Sequence, residues 1–317
     1  GATNGWIPLD DDAVADVPVA PETQKGIFAY GTTGSDVSLS NLVNSSGVVA
    51  ADVTGVGTVR IDAAATTYGG DKGIVAFGLV SGVGKISLSN LISSSGVVAA
   101  DVTGVGTARN NAAAAKYGVG LALFAYGISA ASPSDGVTTR NLVNSSGVIA
   151  TDASGAGTTR SRIAAVGYGG DKAIFAYGWQ STSYGSGTNL SNLISNTGVM
   201  ATDTAGVGTA RYQLAATSYG TGLGIFAYGS TDSNVSLSNK VSISGVIAAD
   251  VTGVGSARQQ MGACAYGADK GIFAYGSTGS NTAVSNLVSN TGVVATDVSG
   301  VGTARYGLVA AGFSYTA

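Results

Sequence analysis

The sequence predicts an all-β fold, a six-bladed β-propeller with four antiparallel strands in each blade. One phrase recurs in six copies, its landmarks keep constant separations, and its short segments are rich in β-branched, aromatic and small residues. Gly, Asn and Asp separate those segments, which favours strands joined by turns over helices. Four short strands repeated every 47 to 51 residues match the length of a propeller blade.

Each copy is marked by an Arg, a Gly and an Asn. The Arg closes a phrase such as GVGTAR, the Gly closes IFAYG, and the Asn belongs to SNL. From each Asn to the next Arg the separation is 19 residues, and from each Arg to the next Gly it is 18. The Gly-to-Asn segment varies between 10 and 14 residues, so the variation in length is confined to one loop of the repeat.

The four predicted strands follow one another in a fixed order. The first is Ala-rich and suits the innermost position, where six strands converge and large side chains would collide. The second, GIFAYG, is apolar or amphipathic on both faces and therefore needs neighbours on both. SNLVS forms the third strand, and VVATDV forms the fourth after an NTG or SSG turn.

The two ends of the chain predict how the ring closes. The first copy begins at Lys25 with the second strand, and the last copy is followed by YGLVAAGF at 306–313, which is the missing first strand. The C-terminal strand is therefore expected to complete the first blade, which removes two open sheet edges. The predicted domains are an extended arm over 1–22 and the propeller over 23–317.

The composition excludes several classes of function. The chain has no His, which excludes Ser-His-Asp and Cys-His catalysis, and one Cys, which excludes an internal disulfide and a zinc cluster. A net charge of −3 with 10% charged residues gives no indication of a nucleic-acid partner. No apolar run is long enough for membrane insertion. We therefore expect a protein that is not an enzyme and has no metal and no cofactor.

A ring of charged residues is the most regular feature of the repeat. Each repeated Arg has an Asp eight positions before it. A collar that binds a central ion or anion is one interpretation, and a set of internal bonds that fix the linkers between blades is the other. Sixfold repetition favours the structural interpretation. The residues are Arg60, Arg109, Arg160, Arg211, Arg258 and Arg305, with Asp52, Asp101, Asp152, Asp203, Asp250 and Asp297.

The long variable loops break the symmetry and are the predicted binding surface. They span 79–89, 128–140 and 179–191, and in an antiparallel meander they open on the face that carries the Arg-bearing linkers. Trp179 and Tyr184 offer flat apolar surfaces with polar groups for a sugar or a protein. Tolerated drift in exposed loops is the alternative. The candidate binding residues are Trp179, Gln180, Tyr184, Arg140, Asp135 and Lys85.

The N-terminal arm lies outside the repeat. It holds Pro and acidic residues together with Trp6 and Ile7. An arm of this composition links the domain to something larger, docks on a neighbour, or is an unordered leader.

The order of Arg, small-residue strand and IFAYG over residues 25–317 resembles the kelch type of propeller repeat. A single Gly stands where kelch repeats have a Gly pair, SNL replaces their Tyr-Asp strand, and their Trp is missing. The resemblance implies the fold and strand order. The uniform repeats, such as NLVSNTGVVATD, also resemble predicted tail or appendage proteins of tailed bacteriophages.

Three hypotheses of function follow. The first is a non-enzymatic structural or recognition module on a virion or another extracellular assembly, which binds a glycan or protein surface and contacts other virion proteins through its arm. The second is a kelch-like scaffold that grips a peptide with the Arg-bearing linkers. The third is a carbohydrate-active hydrolase or lyase, which would need a pair of placed carboxylates, with Asp135 as a candidate.

Overall fold

The computed structural model describes residues 22–129, 136–180 and 186–317, and within these ranges the regular structure consists of β-strands. The strands in chain order are β1 (Lys25–Ala29), β2 (Ser40–Val43), β3 (Ala64–Tyr68), β4 (Lys72–Ala76), β5 (Leu79–Val80), β6 (Gly84–Lys85), β7 (Ser89–Ile92), β8 (Ala113–Tyr117), β9 (Leu121–Ala125), β10 (Arg140–Val143), β11 (Ala164–Tyr168), β12 (Lys172–Ala176), β13 (Trp179–Gln180), β14 (Ser186–Gly187), β15 (Ser191–Ile194), β16 (Ala215–Tyr219), β17 (Leu223–Ala227), β18 (Ser238–Val241), β19 (Gly262–Tyr266), β20 (Lys270–Ala274), β21 (Ser285–Val288) and β22 (Val309–Phe313). In this part of the chain no helix is long and apolar enough to cross a membrane.

The repeats form three-stranded antiparallel sheets. In each, the Ala-rich strand pairs with the IFAYG strand, which pairs with the SNL strand, as in β3-β4-β7 and β8-β9-β10. The sheet of the first copy has the order β22-β1-β2, with Lys25 opposite Phe313 and Ala29 opposite Val309. The C-terminal strand thus completes the N-terminal sheet, as the sequence predicts.

Neighbouring sheets contact each other through their Ala-rich strands. Each Ala-rich strand contacts the next one in the order β3, β8, β11, β16, β19 and β22, and β22 contacts β3, which closes the cycle. In five of the Ala-rich strands buried residues alternate with half-buried ones, and in β22 the last three residues are all buried. The IFAYG strand is buried over its last four residues. The half-buried residues line a central channel, and the middle strand is covered on both faces by its neighbours.

The core lies between the sheets. Each of six buried apolar clusters combines residues of two sheets that are adjacent in the contact cycle. Aromatic edge-to-face pairs cross several of these interfaces, as between Phe77 and Phe124, whose centroids lie 5.5 Å apart. Phe28 and Tyr275 form the equivalent pair at 5.4 Å between the first and last copies. Such pairs contribute about 0.5–1.5 kcal/mol beyond the apolar area they bury.

The prediction of a continuous fourth strand in each repeat is wrong, because the sheets have three strands. The segment after each SNL strand makes isolated bridges, such as Val43 to Val49 and Ser40 to Val53. Between these bridges it has one residue more than its partner, which is a bulge that interrupts the ladder. The side chain of Asn41 occupies the gap, and its Nδ2 donates to the carbonyl of Ala50 at 3.0 Å. The expected four-stranded sheets are therefore three-stranded, with a bridged fourth segment.

Candidate functional site

The repeated Arg residues lie between sheets and not on the surface. All six are fully buried. The guanidinium of Arg305 donates from Nη2 to Oδ1 of Asn41 at 2.8 Å and from Nε to the carbonyl of Tyr30 at 2.9 Å. It also lies over the ring of Tyr275, 4.4 Å from the centroid. One side chain thus joins the last sheet to the first. Arg60, Arg109, Arg160 and Arg211 likewise donate to the repeated Asn of the next copy. Arg258 differs, because its Nη2 donates to the carbonyl of Phe273 while its guanidinium lies over the ring of Tyr228.

Each repeated Asp binds the linker that arrives from the preceding repeat. The carboxylate of Asp52 accepts hydrogen bonds from the backbone N and from Oγ1 of Thr303, the latter at 2.5 Å. Its Oδ1 also accepts from Nδ2 of Asn41 and lies 3.8 Å from Nη1 of Arg305. Desolvation would raise the pKa of Asp52, but the hydrogen bonds from Thr303 and Asn41 outweigh it and the pKa is lowered.

The ion-pair partners differ from those that the spacing suggested. The sequence places an Asp eight residues before each Arg in the same copy, whereas Arg60 faces Asp101 and Arg109 faces Asp152, each in the following copy. The reason is that the linker crosses from one sheet to the next before its Arg turns inward. None of these carboxylates or guanidiniums lines the central channel.

The predicted binding residues are distributed over several parts of the chain. Trp179 and Gln180 form β13, which pairs with β14 in a short hairpin. Lys85 in β6 lies opposite Leu79 in a second hairpin. Arg140 begins β10, and its guanidinium donates to the carbonyls of Ser154 and Gly198. Asp135 and Tyr184 lie outside the described residues.

The described ends of the long loops contact the linkers on one face, as the sequence predicts. Isolated bridges join each linker to the residue that begins the neighbouring loop, as between Ile61 and Leu79 and between Ser161 and Trp179. The backbone N of Trp179 donates to the carbonyl of Ser161 at 2.7 Å. Trp179 is therefore held beside the channel opening on this face.

The opening on this face, here called the loop-side mouth, is surrounded by six residues that each follow a repeated Arg by two positions. It contains a cavity of about 100 Å³. Below it, the channel continues as a cavity of about 110 Å³ between Ala-rich strands. The residues of the loop-side mouth are Asp62, Asn111, Arg162, Gln213, Gln260 and Gly307.

The backbones of the loop-side mouth form a closed ring of hydrogen bonds. The N–H of each residue donates to the carbonyl of its counterpart in the preceding repeat, from Asn111 to Asp62 at 2.8 Å and from Asp62 to Gly307 at 2.9 Å. The other four bonds measure 2.9 to 3.0 Å. Backbones paired in this way lie about 4.8 Å apart, so a ring of six leaves an opening only a few ångströms wide.

All six residues of this ring have left-handed backbone conformations. The φ angles lie between 52° at Asp62 and 64° at Gly307. Gly adopts this conformation freely, whereas other L-residues pay about 1–2 kcal/mol for it. Only Gly307 is a Gly, and Arg162 and Gln213 are residues that rarely adopt positive φ. The backbone favours Gly at every position of this ring. The buried aromatic residue before each repeated Gly, such as Tyr30 with a φ of 64°, has the same conformation, so positive φ alone does not distinguish the mouth from the rest of the repeat.

Asp62 and Arg162 are the charged residues of the loop-side mouth. Nε2 of Gln260 donates to Oδ1 of Asp62 at 3.5 Å. Burial raises the pKa of the Asp62 carboxyl, against the opposing effects of the hydrogen bond from Gln260 and the charge of Arg162. Of the described residues that line this mouth, Asp62 is the one carboxylate.

Arg162 lies against an aromatic wall. Its guanidinium is 5.2 Å from the ring centroid of Trp179 and 5.9 Å from that of Tyr212. The two rings meet edge to face with centroids 4.6 Å apart. The Nε of Arg162 is buried without a hydrogen-bond acceptor. Arg162 thus places a cation at the mouth, and two aromatic rings pack against that cation.

The opposite opening of the channel contains an ion pair with the end of the predicted arm. Oε2 of Glu22 lies 2.5 Å from Nζ of Lys116, which projects from β8. The cavity there is about 80 Å³ and is lined otherwise by small residues such as Gly167, Ala265 and Gly312. The rest of the arm, including Trp6 and Ile7, lies outside the described residues.

Sequence reasoning identified Trp179 but missed Asp62, Arg162 and Tyr212. These follow the repeated Arg and look like spacers before the Ala-rich strand. The available signal was their divergence, since the position two residues after each Arg holds an acid, a base, three amides and a Gly in otherwise similar copies. Among the described residues, no group of His, Cys, Asp or Glu could hold a metal ion. No protein-family model and no curated protein sequence matches this chain.

Proposed function

We propose that the chain is a six-bladed β-propeller that acts as a non-enzymatic recognition module. In this proposal it binds a glycan or protein surface with the face that carries the loop-side mouth and the long loops. The closed cycle of contacts between six Ala-rich strands supports the propeller, as does the pairing of β22 with β1.

One observation carries the functional part of the proposal. The repeats diverge in loop length and in the charge of the mouth residues, and both divergences occur on the same face. A structural role alone favours uniform copies, as the buried Arg residues and the Asp residues that bind the linkers illustrate. Loops and exposed residues on a rigid scaffold are where binding commonly evolves.

The other hypotheses have less support. The repeated Arg are fully buried, so in this conformation they do not present a charged surface to a peptide in the manner of the scaffold hypothesis. Hydrolysis of a glycoside commonly needs two placed carboxylates, and Asp62 stands alone among the described residues of the loop-side mouth. Binding without turnover needs neither feature.

The resemblance of the repeats to predicted phage appendage proteins supports a place on a virion, where such a module would contact a bacterial surface. The experiment is to measure binding of the protein to whole bacterial cells and to bacterial surface glycans. The matched control has residues 79–89, 128–140 and 179–191 cut to the shortest loop length of the other repeats. Binding that is lost only in the control supports recognition through this face. The absence of binding by both proteins contradicts it.

A further inference from the structure

The loop-side mouth is polarised. Asp62 and Arg162 are separated around the ring by Asn111. The carboxylate of Asp62 accepts a hydrogen bond from Gln260, on the side away from Arg162, and it also interacts with the Asn111 side chain and with the charge of Arg162. A ligand that fills the mouth therefore meets hydrogen-bond acceptors on one side and a cation on the other.

The cationic side has the features of an anion site with an apolar wall. The guanidinium of Arg162 lies over Trp179 and Tyr212 and lines the mouth. Arg binds carboxylates through a planar fork of donors. Aromatic rings beside such a cation provide a surface for the C–H face of a sugar.

The depth of the mouth limits what can enter. The ring of backbone hydrogen bonds below the side chains leaves an opening of only a few ångströms. A chain cannot pass through the ring, but a single terminal group can rest on it. The amides of Asn111 and Gln213 are neutral donors and acceptors of the kind that match hydroxyl groups.

We propose that the loop-side mouth binds one carboxylate-bearing sugar residue at the end of a glycan chain. Its carboxylate binds Arg162, its apolar face packs against Trp179, and a hydroxyl on the far side donates to Asp62. This inference rests on the proposed recognition function and adds the chemistry of the ligand.

The test measures binding of the full chain to oligosaccharides that end in glucuronic, galacturonic or sialic acid. Matched oligosaccharides end in glucose or galactose, or carry the methyl ester of the same acid. Arg162→Gln should weaken binding of the acidic glycans by about tenfold or more, the usual effect of losing a hydrogen-bonded charge. Lys240→Gln removes a cation whose Nζ donates to the carbonyl of Thr291, and it should leave binding unchanged. Thermal unfolding of each variant checks that it is folded.

The outcomes separate this inference from the function on which it rests. Equal binding of acidic and neutral glycans, or undiminished binding by a folded Arg162→Gln variant, overturns the inference. If the protein binds cells but none of the acidic glycans, the inference about the acidic sugar is overturned and the proposed recognition function stands. The absence of binding to cells and glycans alike contradicts both.

Discussion

Nη2 of Arg305 donates to Oδ1 of Asn41 at 2.8 Å, which joins the last repeated Arg of the chain to the first repeated Asn. The same guanidinium lies over Tyr275 of the last sheet, so it belongs to both sheets. The two ends of the repeat array are therefore held by the same Arg–Asn contact that joins four of the other neighbouring pairs. This contact and the pairing of β22 with β1 hold the two chain ends together, and each can be removed separately.

Deletion of residues 306–317 should destabilise the protein strongly. It removes β22, which exposes the edge of β1 and uncovers buried residues of the first interface, including Ile27. Unpaired edges also promote association between chains. The measurement is thermal unfolding together with light scattering, and a chain shortened only by residues 316–317 is the control. An unchanged Tm and a monodisperse deletion variant would refute the closure.

Arg305→Ala should lower the free energy of unfolding by about 3 kcal/mol or more, because it leaves a cavity and removes the donors to two buried acceptors. Those acceptors are Oδ1 of Asn41 and the carbonyl of Tyr30. Urea unfolding measures the change. The control, Lys240→Ala, removes a cation from β18 and should stay within about 0.5 kcal/mol. Similar effects of the two substitutions would show that the buried guanidinium does not couple the sheets.

Gln213→Gly should raise the free energy of unfolding by about 0.5–1 kcal/mol, because Gly relieves the cost of a left-handed conformation. The φ of Gln213 is 54°. The reverse change in the same ring, Gly307→Gln, should lower the free energy of unfolding by a similar amount. Urea unfolding of both variants tests the pair. A loss of stability in Gln213→Gly would mean that the Gln213 side chain stabilises the ring by more than the left-handed backbone costs.

Asp62→Asn should raise the Tm at neutral pH and have little effect in acid. Burial raises the pKa of Asp62 in the folded protein above its ordinary value of 3.8. The folded state then binds more protons than the unfolded state, so this carboxyl reduces stability as the pH rises from 3.8 through its folded pKa. Thermal unfolding as a function of pH measures the effect. A gain in Tm that is the same at pH 3 and pH 7, or a loss at pH 7, would contradict the raised pKa.

The strand order and the closure could be predicted because constant spacing requires equivalent elements, and the missing first strand reappears at 306–313. The bulge that replaces the fourth strand could not be predicted from the sequence. Its cause is a hydrogen bond from the Asn41 side chain to the carbonyl of Ala50, and sequence patterns do not record which backbone groups a side chain satisfies. VVATDV alternates as a strand would, and only its pairing shows the extra residue.

The site was predictable only in part. Trp179 stood out as a large aromatic residue in a long loop, and it does lie beside the channel opening. Arg162 and Asp62 come from copies 100 residues apart. They lie in one ring, with Asn111 between them, because equivalent positions of successive copies are hydrogen-bonded to each other. The pairing of Arg60 with Asp101 was hidden for a related reason, since the spacing within one copy does not reveal a contact with the next.

Binding to whole bacterial cells by the double variant Arg162→Gln/Trp179→Ala tests the central claim, recognition through the loop-side mouth, most directly. Arg162 lines the mouth, and Trp179 packs against it, with the guanidinium 5.2 Å from the centroid of its ring. The wild-type protein and Lys240→Gln should bind cells equally, whereas the folded double variant should lose about 100-fold or more in affinity if each residue contributes a typical contact energy. Undiminished binding by the double variant would show that the mouth does not carry recognition.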